Sequence, residues 1–154
     1  MSNVSEQAVI NLTFADYANV DNGGKASLVG VGGGIIPLTP TGLTTRFSVF
    51  AEIRIPGSLC PCEMTVEYSL RNASGSVVEL AGPVPQPVRG ANIVTVESVA
   101  GLNLEQKNHI GGRSMNALDF ANGMPLSPGD YQFRVTIDGD DAHAAYVNFC
   151  VPEQ

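Results

Sequence analysis

The chain has 154 residues, only 15% of them charged, with fifteen acidic against eight basic side chains and a formal net charge of -7. A single domain of this length buries roughly 70% of its unfolded-chain surface, so a core forms without staples and the three cysteines do not read as a disulfide scaffold. The acidic balance argues against nucleic acid as a partner; residues 1–7 lack the parts of a secretory signal; and the longest uncharged run, 26–45, carries five glycines between Gly30 and Gly42 and two prolines, which excludes a membrane-spanning helix.

In chain order, residues 1–7 read as a polar N-terminal arm and 8–154 as one domain. The first strand is predicted over 8–18, with Ala8, Ile10, Leu12 and Phe14 on one face. Asp21, Asn22, Gly23 and Gly24 tolerate positive φ and predict a hairpin returning through 25–31. A second hairpin is predicted from 43 onward, with Phe47, Val49, Ala51, Ile53 and Ile55 inward, a turn over 56–61, and Cys62, Met64, Val66, Tyr68 and Leu70 returning. Setting Ile53 opposite Met64 places Arg54 against Glu63, whereas a two-residue slip opposes Glu52 and Glu67.

A tight turn at 72–75 leads into a strand at 77–80, and Pro83, Pro85 and Pro87 remove ladder donors and force an extended loop. A strand is predicted at 91–99, a short helix at 102–109 and a short strand at 117–121. The alternation is clearest at 131–137, where Tyr131, Phe133, Val135 and Ile137 share one face and Gln132, Arg134 and Thr136 the other; 143–151 completes the last pair. About nine short strands, no long helix and no internal repeat predict an all-β, antiparallel β-sandwich, immunoglobulin-like or jelly-roll, with a Greek-key barrel as the neighbouring arrangement.

No catalytic or metal constellation stands out. Gly30, Gly32, Gly33 and Gly34 follow a strand but precede Pro37 and Pro40 rather than a helix, so they predict a flexible or closely packed loop and not a phosphate cradle. Cys60 and Cys62 flank Pro61, but the other available ligands, Cys150, His109 and His143, lack paired metal spacing, and free thiols are expected. Cys150 shares the parity of Tyr146 and is expected to point away from Cys60 and Cys62, bridged to neither. His143, beside Asp138, Asp140 and Asp141, has no nucleophile at a recognisable spacing, and that acidic turn lacks the ligand ladder of a calcium loop. The acceptor triplets at Asn3, Asn11 and Asn72 are expected to be chance matches, since no secretory signal is read in residues 1–7. No cofactor, no metal and no enzymatic activity are expected.

The stretch Phe14-Ala15-Asp16-Tyr17-Ala18 with Asp21, Gly24, Lys25, Leu28 and Gly30 resembles the opening of an uncharacterised family of short bacterial and bacteriophage β-sandwich proteins, chiefly actinobacterial. Leu126-Ser127-Pro128-Gly129-Asp130-Tyr131, with Phe133, Val135, Ile137, Asp138 and Gly139, is similar to that family's end. The resemblance implies a β-sandwich, and the phage members imply a virion role with no catalytic residues to transfer. The expected function is therefore a non-enzymatic structural or interaction protein, a bacteriophage capsid decoration protein made in the host cytoplasm and located in the virion. Its partner would be the major capsid protein or another virion protein, with self-association open. A tail component and a ligand- or carbohydrate-binding adhesin module are the alternatives, the latter disfavoured by 6% aromatics and no tryptophan. Phe50, Arg134 and Tyr146 are the candidate interface residues: the aromatics lie on otherwise polar faces, and Arg134 falls opposite Tyr146 when Phe133 pairs with Val147.

Overall fold

Phe133, Val135 and Ile137 lie on one buried face, as their alternation requires, in a computed structural model that describes residues 2–154. The strands are β1 (Val9–Ala15), β2 (Tyr17–Val20), β3 (Ala26–Val29), β4 (Phe47–Ile55), β5 (Cys62–Asn72), β6 (Glu79–Leu80), β7 (Gln86–Pro87), β8 (Arg89–Val96), β9 (Gly112–Phe120), β10 (Gly129–Ile137) and β11 (Ala145–Val151). Two short helices, α1 (Asn3–Gln7) and α2 (Leu104–Ile110), complete the fold. One sheet has the order β1-β4-β9 and the other β11-β10-β5-β8, and all their pairings are antiparallel. This is a β-sandwich with an immunoglobulin-like strand order, its fourth main strand, β8, attached to β5.

The sandwich corrects the second predicted hairpin. β4 and β5 are not neighbours; each is a central strand of its own sheet, and Val49, Ile53, Met64, Val66 and Leu70 join one core from opposite sides. The 56–61 segment forms a 3-10 turn at Gly57–Leu59 that carries the chain across the sandwich instead of reversing it within a sheet. Arg54 consequently lies beside Arg113, with Glu52 within 3.7 Å of one guanidinium and 3.6 Å of the other. The first predicted strand is broken at Asp16, whose amide N–H donates to the Val29 and Gly30 carbonyls. Before the break β1 pairs with β4, and after it β2 and β3 form the hairpin predicted at 21–24, closed by the Asp21 carboxylate accepting from the Gly23 and Lys25 amides.

The β2–β3 hairpin packs on β4 and β9, covering a face that alternation alone would leave wet. β9 is longer than the predicted 117–121 strand because Arg113, Ser114, Met115 and Asn116 extend it without alternating. Residues 3–7 form a helix whose Ser2 cap is tied to the β10 end, so the segment is docked rather than a free arm. α2 agrees with its prediction within two residues: Asn103 and Gln106 form a capping box and Gly111 ends the helix at φ +73. No helix among the described residues is long and apolar enough to cross a membrane.

Candidate functional site

The outer face of the four-stranded sheet follows from parity. Where Val66, Tyr68 and Leu70 point into the core, Glu67, Ser69 and Arg71 must point out. The ladder then sets Tyr146, Arg134, Ser69 and Arg89 side by side in one row across β11, β10, β5 and β8. Arg134 opposite Tyr146 is the register expected from the sequence. With strands about 4.8 Å apart, Arg134 and Arg89 flank Ser69 at roughly 10 Å from each other.

Arg71 joins this row from the neighbouring position, its Nε donating to Ser69 Oγ at 3.3 Å and its Nη1 to the Gly75 carbonyl at 3.0 Å. Arg134 is ion-paired with Asp141 at 3.1 Å, an exposed contact worth about 0–1 kcal/mol. Arg89 has no ion pair among the described residues. Together with Glu67, Thr136 and Asp141 these side chains line a shallow concavity of about 360 Å³. Three of the chain's six arginines thus meet on one face of an acidic protein. A guanidinium fork grips carboxylates in two-point geometry, and an exposed tyrosine beside it supplies flat contact area, so the face suits an acidic protein surface.

The three expected interface residues separate. Tyr146 is 60% exposed and Arg134 stands next to it. Phe50 is only 8% exposed, on the β4 face covered by the β2–β3 hairpin, and so is not available to a partner. Arg71, Ser69 and Arg89 were not singled out from the sequence. The parity of β5 and the β8 register together would have found them, but the register depended on a strand pairing that alternation does not specify.

His143 is held by Asp140, whose Oδ2 lies 2.8 Å from its Nδ1. The same oxygen accepts from Ser5 Oγ at 2.8 Å, and Oδ1 accepts from the Ala142 amide at 3.1 Å. Asp138 accepts from Ser2 Oγ and the Thr65 amide. The carboxylates of Asp138 and Asp140 therefore latch α1 and a β5 amide to the end of β10. Burial of Asp140 opposes its charge, yet the hydrogen bonds from Ser5 and His143 outweigh it and hold the carboxyl below its usual range. Asp119 is likewise held low by donors from Arg46 and Ser48.

Both carboxyls bind a proton less tightly when folded than when unfolded. Their stabilisation is therefore complete above the unfolded value of about 3.9 and is lost as pH falls through the depressed folded values. The expected result is a melting temperature that declines on acidification below about pH 4, with cleavage near residues 2–8 by an acid-tolerant protease. Asp140→Asn should expose the same cleavage site at pH 7. An N-terminus equally resistant in Asp140→Asn and in the unaltered protein would refute the latch.

The cysteines are all free. Burial pushes the thiols of Cys60, Cys62 and Cys150 up, which keeps them protonated at neutral pH. Cys62 begins β5, whereas Cys150 pairs with Asp130 beyond the Asn72 end of that strand, so the full length of the sheet separates them. Residues 30–36 form a strap hydrogen-bonded to β1 and β11.

No family model matches the chain, and no curated protein matches it. Among solved structures it is similar to the alkylpurine DNA glycosylase AlkC of Pseudomonas fluorescens, at 10% identity and a TM-score of 0.47, over 92% of this chain and 30% of that one. It is also similar to the PmoD soluble domain of a Methylocystis species, at 14% identity and a TM-score of 0.34, over 92% of this chain and 90% of that one. The chain thus spans less than a third of the glycosylase.

Proposed function

We propose that this protein is a non-enzymatic interaction module that attaches to an acidic protein surface through the outer face of its four-stranded sheet. The observation that carries the reading is the Tyr146–Arg134–Ser69–Arg89 row with Arg71 beside it. Tyrosine and arginine are the residue types enriched at interface centres, and a flat sheet face presents them without reorganisation. The family resemblance of the two chain ends directs the reading further, to a bacteriophage particle, with the protein as a capsid decoration subunit and the major capsid protein as its partner.

The test is mass-spectrometric quantification of purified particles, in which this chain is expected at a copy number comparable with the capsid subunit. The double replacement Tyr146→Ala/Arg134→Glu should leave the fold intact and lower incorporation by about thirtyfold, the scale of a two-residue hot spot. Absence of the unaltered chain from the particles would overturn the virion reading. Undiminished incorporation of the double variant would overturn the choice of face.

A further inference from the structure

The two long margins of the sandwich differ. On one, the strap between β3 and β4 fills the opening: Gly32 N–H donates to the Phe14 carbonyl at 2.9 Å, Ile36 N–H to the Cys150 carbonyl at 2.9 Å, and Cys150 N–H to the Gly34 carbonyl at 2.6 Å. On the other, β8 pairs with β5 alone. No backbone group of residues 89–96 bonds outside that pairing among the described residues. Leu70 N–H donates to the Val88 carbonyl at 2.9 Å, in the register that pairs Ser69 with Arg89. Even-numbered residues of β8 therefore turn their backbone groups toward β5, and Arg89, Ala91, Ile93 and Thr95 turn theirs outward.

An open strand edge is a template for pairing, and soluble proteins ordinarily blunt it with charge, proline, a bulge or a covering element. Residues 90–96 hold neither charge nor proline, and Ile93 is 72% exposed. The apolar concavity between β8 and β9, about 290 Å³ and lined in part by Val88, Leu118 and Phe120, opens beside the same edge.

We propose that this edge docks a second copy of the chain, β8 running antiparallel to its counterpart about a two-fold axis at Ile93. Ile93 then meets itself, Ala91 meets Thr95, and Arg89 meets Glu97 of the second copy at both ends. Ala91, Ile93 and Thr95 are outward-turned positions, so the central pairs are hydrogen-bonded, while Glu97, one residue past the end of β8, contributes its charge opposite Arg89. Moving the axis to Asn92 sets Arg89 against Thr95, and moving it to Val94 sets Ala91 against Glu97, so only the Ile93-centred register matches the charges. The result is one continuous sheet whose outer face carries two copies of the arginine–tyrosine row.

Sedimentation of the full chain over a concentration series tests the pairing. The unaltered protein should form a reversible dimer, and Ile93→Asp, a change outside the core, should be monomeric at every concentration, with the melting temperature that the unaltered protein has when dilute enough to be monomeric. Arg89→Glu and Glu97→Arg should each weaken dimerisation at least about tenfold, and the two together should recover most of the loss. A monomer at every concentration, a dimer indifferent to Ile93→Asp, or failure of the double reversal to recover would overturn the proposal. Arg89 belongs to both surfaces, but Ile93→Asp and Glu97→Arg leave the Tyr146–Arg134–Ser69–Arg89 row unaltered, so these two variants test the dimer separately from the attachment face.

Discussion

Phe47→Ala is expected to destabilise the protein by about 3–5 kcal/mol, against a total of roughly 5–15 kcal/mol for a domain of this kind. Phe47 is buried, and its ring lies 5.6 Å from Phe14 of β1, 4.8 Å from Phe120 of β9 and 5.7 Å from Phe149 of β11. The first two belong to its own sheet and the third to the facing one, so a single side chain ties three strands across the core. Truncation removes the transfer energy of the ring and leaves a cavity that neighbours on two separate sheets cannot close together. Each aromatic contact adds about 0.5–1.5 kcal/mol beyond area, and Phe47 makes several. Urea unfolding should show a lowered midpoint with an unchanged slope, and the melting temperature should fall by about 10 °C or more. Tyr146→Ala, on the exposed outer face, should change stability by no more than about 0.5 kcal/mol. Similar costs for the two replacements would mean that Phe47 does not hold the sheets together.

Which face turns inward was readable from the chain for β5 and β10, because a period of two leaves little choice once one face is apolar. Met64, Val66, Tyr68 and Leu70 on β5, and Phe133, Val135 and Ile137 on β10, are all buried as their parity demands. Which strands become neighbours was not readable at β4 and β5, since two strands with one apolar face each can lie side by side or face each other. The choice was made by the Gly57–Leu59 turn and by β1 and β9, which take both flanks of β4. β9 gave little warning, its Arg113-Ser114-Met115-Asn116 stretch carrying no alternation.

Phe50 illustrates a related limit. Its parity was read correctly as opposite to Val49 and Ala51, but the opposite face is wet only where nothing covers it, and the chain break at Asp16 sends β2 over it. On the candidate face the reverse holds. Arg134 and Tyr146 were found because a hairpin partner fixes their register locally, while Arg71 and Arg89 needed the long-range β5 pairings with β10 and β8.

Two glycines with the same backbone angle separate conformational strain from steric overlap. Gly123 and Gly139 both sit at φ +71, where any side chain is strained by about 1–2 kcal/mol. A Cβ on Gly139 would meet open space, whereas one on Gly123 would stand 1.9 Å from the Thr44 carbonyl oxygen and 2.8 Å from its carbon. Those atoms cannot retreat easily: Thr44 is buried, its amide donates to the Met124 carbonyl at 2.9 Å, and its Oγ1 accepts from the Met124 amide at 2.9 Å. Met124 and Leu126 are themselves core residues, so the loop after β9 is clamped to the segment before β4. Overpacking a site so held adds about 1–3 kcal/mol to the backbone strain. Gly123→Ala should therefore cost about 2–5 kcal/mol, and Gly139→Ala about 1–2 kcal/mol, in equilibrium unfolding. The difference between them measures the overlap alone, because the angle is common to both. Equal losses would show that the Thr44 clamp yields, and that the loop is held by Met124 and Leu126 packing rather than by the close backbone approach.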